Sequence, residues 1–486
     1  MKGDFSRVTF DPTEHYTRVL LQQGRVSLDA DFNEQAAILL HRLQVMTADL
    51  VGEGAGPTNN LGFTISASAT SGDFGIGKGR YYVNGILVEN DADCSFLAQP
   101  DYPVPTAKLL TGVTGNFLAY LDVWERHVTA LEEPEIREVA LGGPDTATRA
   151  EVVWQVKLYP LPGVATNTGK NAASTALPSL QPDAMKVLFT KAASQDTTAK
   201  AGSPAAFALS QDLPIPLSYA TLRARAKQNP PDTDPCAIPP ASSYRGLENQ
   251  LYRVEVHNGG QLSDKPTFKW SRENGSVTFP ILKITADTTN ATTTLSLANL
   301  GRDQKLGLAV GDWVEIVDDT YVLQNLAEPL LQVTSISLDD LSVTVSGLRA
   351  TANRGDDPTQ HPLLRRWDQP GSATDLTNGA VPITLGSATV DTDWIGLEDG
   401  VQILFEALAQ TNGLAFFRTG DYWLIPARVA TGDVEWPQSA GTASALPPRG
   451  VEHQYAALAR ISVASGTVSV TKDLRRSFDV ISKPMP

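Results

Sequence analysis

The sequence predicts a mainly β protein of several domains, built from antiparallel β-sandwich and small-barrel modules behind an N-terminal arm and one longer helix. Three observations predict it. The chain has 486 residues, more than one ordinary core holds. Sustained helical spacing occurs mainly in the first 51 residues. After Gly56-Pro57 the texture changes to short apolar runs separated by Gly, Asn and Pro turns. A hydrophobic content of 42% with 19% charged residues fits a folded chain. The expected organisation is 1–56 arm and helix, 57–160 a first β-domain, 161–245 an Ala/Ser/Pro-rich insertion, 246–350 a β-domain with a small barrel-like module, and 351–486 a C-terminal β-domain.

The arm, KGDFSRVTFDPTEHYTRVLLQQGRVSLDADFNEQ, interleaves Arg7, Arg18 and Arg25 with Phe5, Phe10 and Tyr16. Arginines that pair with acids and rings that anchor suit a groove on a neighbouring subunit. The same texture suits an arm packed across its own β-domain, and both readings are open. Asp31 and Glu34 then resemble a capping box. Ala36, Leu39, Leu40, Leu43, Met46 and Leu50 follow at helical spacing, and Gly52 and Gly54 end the helix. Ile38 and Val45 lie off that stripe, so the helix has more than one apolar face. Burial in its own chain or a contact with another subunit would explain this.

GRYYVNGILVEN reads as a hairpin about Asn84-Gly85. Strands follow from Asn116 and Arg149. Tyr219 to Lys227 is a candidate short helix in the insertion. Residues 276–348, around LAVGDWVEIVDD, suit a small barrel or sandwich placed after the WSRENG turn, with further strands from Arg365.

No motif carries a defensible catalytic constellation. GIGKGR leads into a hairpin rather than a helix, so it is a turn and not a phosphate loop. The six histidines lack zinc-site spacing, and His257 and His453 are isolated in sequence. Glu125 and His127 share one face of a strand, where a cross-strand ion pair is the default reading. Asp318-Asp319 is a candidate calcium contributor but reads by default as a solvated turn. G-x-S-x-G is absent. Trp270, Trp313, Trp367, Trp394, Trp423 and Trp436 invite a glycan-binding reading, yet each lies in or beside a strand run, where core packing is the default. No metal and no cofactor is expected, and the chain is expected not to be an enzyme.

A net charge of −15 argues against broad nucleic-acid binding. Neither a signal-peptide core nor a run of about 20 apolar residues is present, so no transmembrane segment is expected and synthesis in the cytoplasm is. Cys94 and Cys236 allow one long-range disulfide or two reduced thiols.

The blocks KGDFSRVTFDP, RVLLQQGRVSLDADFNEQ, YLDVWERHVTALEEPEIREVALGGPDTATRAEVVWQVK, FKWSRENGSVTFPI, GDWVEIVDD and FRTGDYWLIPAR look like the signatures of a bacterial family of uncharacterised function. Its members are similar to components encoded beside phage-tail-like contractile injection systems. The GRYYVNGILVE hairpin also resembles strands common in baseplate and tail-fibre proteins. The resemblance implies a structural assembly component at the baseplate or spike end, partnered by baseplate, spike or sheath-end subunits and by copies of itself, in a released or membrane-anchored particle. Three-fold and six-fold assembly are both compatible with it. The alternative is a glycan- or surface-binding β-module protein without catalysis.

Overall fold

The computed structural model describes residues 1–102, 110, 114–161, 220–227, 243–371, 376–407 and 415–479. Most of the expected insertion 161–245, Cys236 and any pairing of it with Cys94 lie outside the described residues.

Helix α1 spans Asp29–Val51, two residues longer at its start than the Asp31 signal implies. The expected capping box is not formed: Leu28 is the N-cap and supplies no side-chain bond. The acids of the first turns hold the arm instead. The Ser6 N–H donates to Asp29 Oδ2 over 2.9 Å, and the Thr9 hydroxyl donates to Glu34. Asp29 and Asp31 still oppose the positive end of the helix dipole. Gly52, at φ 85°, ends α1.

The hairpin of strands Gly79–Val83 and Ile86–Asn90 turns at Asn84 (φ 45°) and Gly85 (φ 83°), as an Asn-Gly two-residue turn requires. A Cβ on Gly85 would lie 2.0 Å from the Gln44 carbonyl oxygen, so this glycine lets α1 rest directly on the turn.

Four strands form the longest sheet, in the order Thr467–Asp473, Gln454–Ala464, Gly115–Val128, Arg149–Pro160, all antiparallel. Its core contains Phe63, Phe74, Tyr81, Trp154 and Leu458. A second core lies between two further sheets. One places Gln250–Val256 between Thr267–Ser271 and Tyr422–Arg428; the other pairs Ala220–Ala226 with Val401–Ala407. Tyr252, Trp270, Phe405 and Trp423 fill it. The candidate helix at Tyr219 to Lys227 is thus a strand over Ala220–Ala226. Its period is two: Leu222 and Ala224 point inward, while Arg223 bonds Glu406 and Arg225 bonds Asp391.

The expected small barrel is present and closed. Its six strands run in the order Thr278–Asp287, Thr292–Leu297, Ser342–Ser346, Leu331–Ser337, Trp313–Val317, Leu363–Trp367. Val314, Val333, Val345 and Leu364 are buried inside it. The closing strand lies beyond residue 350, and the longest sheet joins strands of the expected first β-domain (57–160) to strands of the expected C-terminal β-domain (351–486).

All six tryptophans named from the sequence are buried. They pack cores and leave no exposed platform of stacked rings among themselves.

Candidate functional site

A cleft of about 1630 Å³ lies where the longest sheet, the second core and the barrel meet. Its floor is built by charged residues set into fully buried strands. In LYRVEVH, Arg253 and Glu255 are two apart and share a face. Lys269 stands directly opposite Glu255 on the neighbouring strand. The Glu255 carboxylate meets Lys2 Nζ at 3.0 Å, Arg253 Nε at 2.6 Å and Lys269 Nζ at 3.5 Å. Lys269 also reaches Glu315 of the barrel at 2.5 Å, and Glu315 accepts from the Tyr321 hydroxyl (2.7 Å) and Trp367 Nε1 (2.9 Å). The Trp367 ring lies beneath the Lys269 ammonium, 4.4 Å to its centroid.

Burial by itself would raise both carboxyls. Lys2, Arg253 and Lys269 hold Glu255 well below the usual carboxylate range, and Lys269, His257 and Lys2 bring Glu315 down to about 2. Burial pulls Lys2 down to about 7 against the attraction of Glu255. His257 is buried and depressed to about 4, chiefly by desolvation, and its Nε2–H donates to the Glu328 carbonyl over 2.8 Å. His127 falls to about 3 for the same leading reason.

The arrangement captures the start of the arm. Arg253 donates to the Met1 carbonyl (3.1 Å), Asn274 Nδ2 donates to the Gly3 carbonyl (2.9 Å), and Lys2 completes the charge cluster. Phe5 stands edge-on to His127, with ring centroids 6.0 Å apart. Arg7 lies 3.4 Å from Glu435, and Phe10 packs 5.7 Å from the His41 ring on α1. These three of the six sequence-derived interaction residues therefore contact their own chain. Tyr16, Arg18 and Arg25 are exposed, and the two arginines make no ion pair with a described residue.

The structure decides between the two apolar faces of helix α1. The off-stripe Ile38 is buried, and Val45 lines a small cavity with Phe10 and Tyr16. The stripe faces outward, and Phe32, one turn before it, extends it: Phe32, Leu39, Leu43, Met46 and Leu50 are between 54% and 76% exposed. The extended segment before it exposes Leu20, Leu21 and Val26 as well.

Other sequence readings are corrected. Glu125 forms no ion pair with His127 or with a described cross-strand residue; it faces Val152 and His127 faces Ala150. Asp318 is buried rather than solvated: it caps helix α2 (Asp319–Leu323) by accepting from the Tyr321 N–H, and it pairs with Arg354 at 2.7 Å. That cation occupies the carboxylate, while Asp319 bonds Arg126 and His361. His453 is not isolated. Its Nδ1 lies 2.7 Å from Asp122, which also bonds Lys157, and its ring stacks on Trp124. Among the described residues, no three or more His, Cys, Asp and Glu side chains converge as metal ligands. No described helix is long and apolar enough to cross a membrane.

The charge cluster escaped the sequence reading. Its signal is the presence of Arg253, Glu255 and Lys269 inside two short strands rich in apolar and aromatic residues, with His257 one residue past the end of the first.

No curated protein and no solved structure matches this chain. Residues 1–177 and 161–468 match a family of unknown function, DUF6519. That match covers most of the sequence, and the chain belongs to the DUF6519 family.

Proposed function

We propose that this protein is a structural subunit that works by docking to other subunits, without turnover. The carrying observation is the outward-facing apolar stripe of α1, continuous with the exposed apolar segment before it. An apolar surface larger than a few hundred Å² marks an interaction site. The charge cluster supports the same reading: its groups are consumed in mutual pairing and in holding the arm, which fixes the base of α1 to the body.

The particle that best accommodates such a subunit is a phage-tail-like contractile injection system, at its baseplate or spike end, assembled in the cytoplasm. The resemblance of the sequence blocks to components encoded beside such systems supports this. The test is mass spectrometry of purified particles from cells carrying the parent chain or a Leu39→Glu/Leu43→Glu variant. Parent chain in the particle and its loss in the variant are expected. Absence of the parent chain from particles would overturn the assignment.

A further inference from the structure

We infer that the partner seated on α1 is α1 of a second copy of this chain, the two helices forming an antiparallel two-stranded coiled coil. This deepens the docking reading and rests on it. Phe32, Ala36, Leu39, Leu43, Met46 and Leu50 are spaced 4, 3, 4, 3 and 4 apart, the a/d repeat of a coiled-coil seam. All six are exposed. A helix merely covering its own core would use that stripe inward and would not need the 3.5-residue period. Here the inward face is the other one, carrying Ala30 and Ile38, while the Gln44 backbone sits on the hairpin turn.

The seam is large enough. The exposed parts of its large side chains, with Leu40, come to roughly 600 Å² per copy, so pairing removes about 1,200 Å² in total, the lower end of the range for specific, stable interfaces. The Val19 N–H donates to Gln35 Oε1 over 2.8 Å, which lays the extended segment beside the seam. Leu20 and Leu21 there add roughly 200 Å² per copy to the same surface.

Side-chain volumes set the direction. Antiparallel pairing places Ala36 against the partner's Met46, Phe32 against the partner's Leu50, and Leu39 against the partner's Leu43. Small then meets large, and the layers fill. Parallel pairing would stack Ala36 on the partner's Ala36 and leave a void. The flanking positions are Asn33, Gln35, Leu40, Arg42, Thr47 and Asp49, which carry one charge of each sign per copy. The one like-charge meeting, Arg42 with the partner's Arg42, is exposed and therefore weak. Antiparallel helices also oppose their dipoles favourably.

The full chain should sediment as a dimer that dissociates on dilution. Leu39→Glu/Leu43→Glu should sediment as a monomer with an unchanged circular dichroism spectrum, since both positions are exposed. In a Cys94→Ser/Cys236→Ser background, used for every cysteine variant, Ala36→Cys/Met46→Cys should give a covalent dimer on mild oxidation. The two sites are about 15 Å apart along one helix, beyond the reach of a disulfide within it. A dimer that persists in the glutamate variant overturns the pairing, and a covalent dimer from Ala36→Cys alone overturns the antiparallel direction. A parent chain that is monomeric at every concentration, yet needs Leu39 and Leu43 to enter particles, overturns the second copy as occupant and leaves the docking reading standing. If it enters particles without them, that reading falls too.

Discussion

Lys269 faces Glu255 across one antiparallel rung and reaches 2.5 Å to Glu315 on the barrel, so one ammonium joins the second core to the barrel. All three side chains are nearly inaccessible to water. Removing one partner from such a set leaves uncompensated buried charge. Lys269→Met should therefore cost about 3–5 kcal/mol, read as a lower urea midpoint. Combining Lys269→Met with Glu315→Gln should cost less than the sum of the single changes, because the second removes a carboxylate that the first left unpaired.

Stability should fall on acidification through the histidines. His257 and His127 are depressed from 6.5 to about 4 and about 3, so the unfolded chain binds more protons than the folded one in the interval above those values. Their contribution is present above pH 6.5 and is lost as pH falls toward 4 and 3. For His257 the shift corresponds to roughly 3 kcal/mol. His257→Asn should flatten the urea-midpoint profile between pH 4 and 6.5. Lys2 has the same sign in a higher window. Its folded-state value is about 7 against 10.5, so stability should rise with pH across that interval, and Lys2→Met should remove the rise.

The arm should divide energetically between its two halves. Arg18→Ala and Arg25→Ala change exposed side chains and should move stability by less than about 0.5 kcal/mol. Deleting residues 1–10 strips Lys2 from Glu255, Phe5 from His127 and the Met1 and Gly3 carbonyls from Arg253 and Asn274. That deletion should lower the melting temperature by many degrees and leave α1 sensitive to limited proteolysis.

Asp318 serves two partners, so its replacement should be severe. Asp318→Ala removes the cap of α2 and leaves Arg354 with Glu328 as its remaining carboxylate. A loss of about 3–5 kcal/mol is expected, with Asp318→Asn milder because it retains an acceptor for the cap. Chelator should leave the melting temperature unchanged, since Arg354 already holds the carboxylate that calcium would require. A melting curve with and without EDTA checks this.

Local chemistry made several features legible in the sequence. The Asn84-Gly85 turn and the barrel after WSRENG each follow from signals within a few residues. Burial of the tryptophans likewise followed from their places in apolar runs. The faces of α1 were not legible, because both Ile38 and the Leu39–Leu43 stripe satisfy helical spacing, and only the position of the body decides which turns inward. Ala220–Ala226 was misread because Ala, Leu and Arg are strong helix formers, and only the placing of Glu406 and Asp391 beside its two arginines shows the period of two. The charge cluster was hidden for a similar reason. Lys2, Glu255, Lys269 and Glu315 come from four separated places, and no local pattern encodes their meeting.

The pairing of Gln454–Ala464 with Gly115–Val128 carries a kinetic consequence. During synthesis the early strand emerges more than 300 residues before its neighbour, with that edge of its backbone donors and acceptors still open. The first core cannot close until the last tenth of the chain has left the ribosome. Contacts of such long sequence separation fold slowly and expose sticky intermediates meanwhile. Chains that stop before Gln454 should thus reach the insoluble fraction rather than persist as a folded N-terminal half, and chaperone demand should peak while the ribosome is translating the final strands.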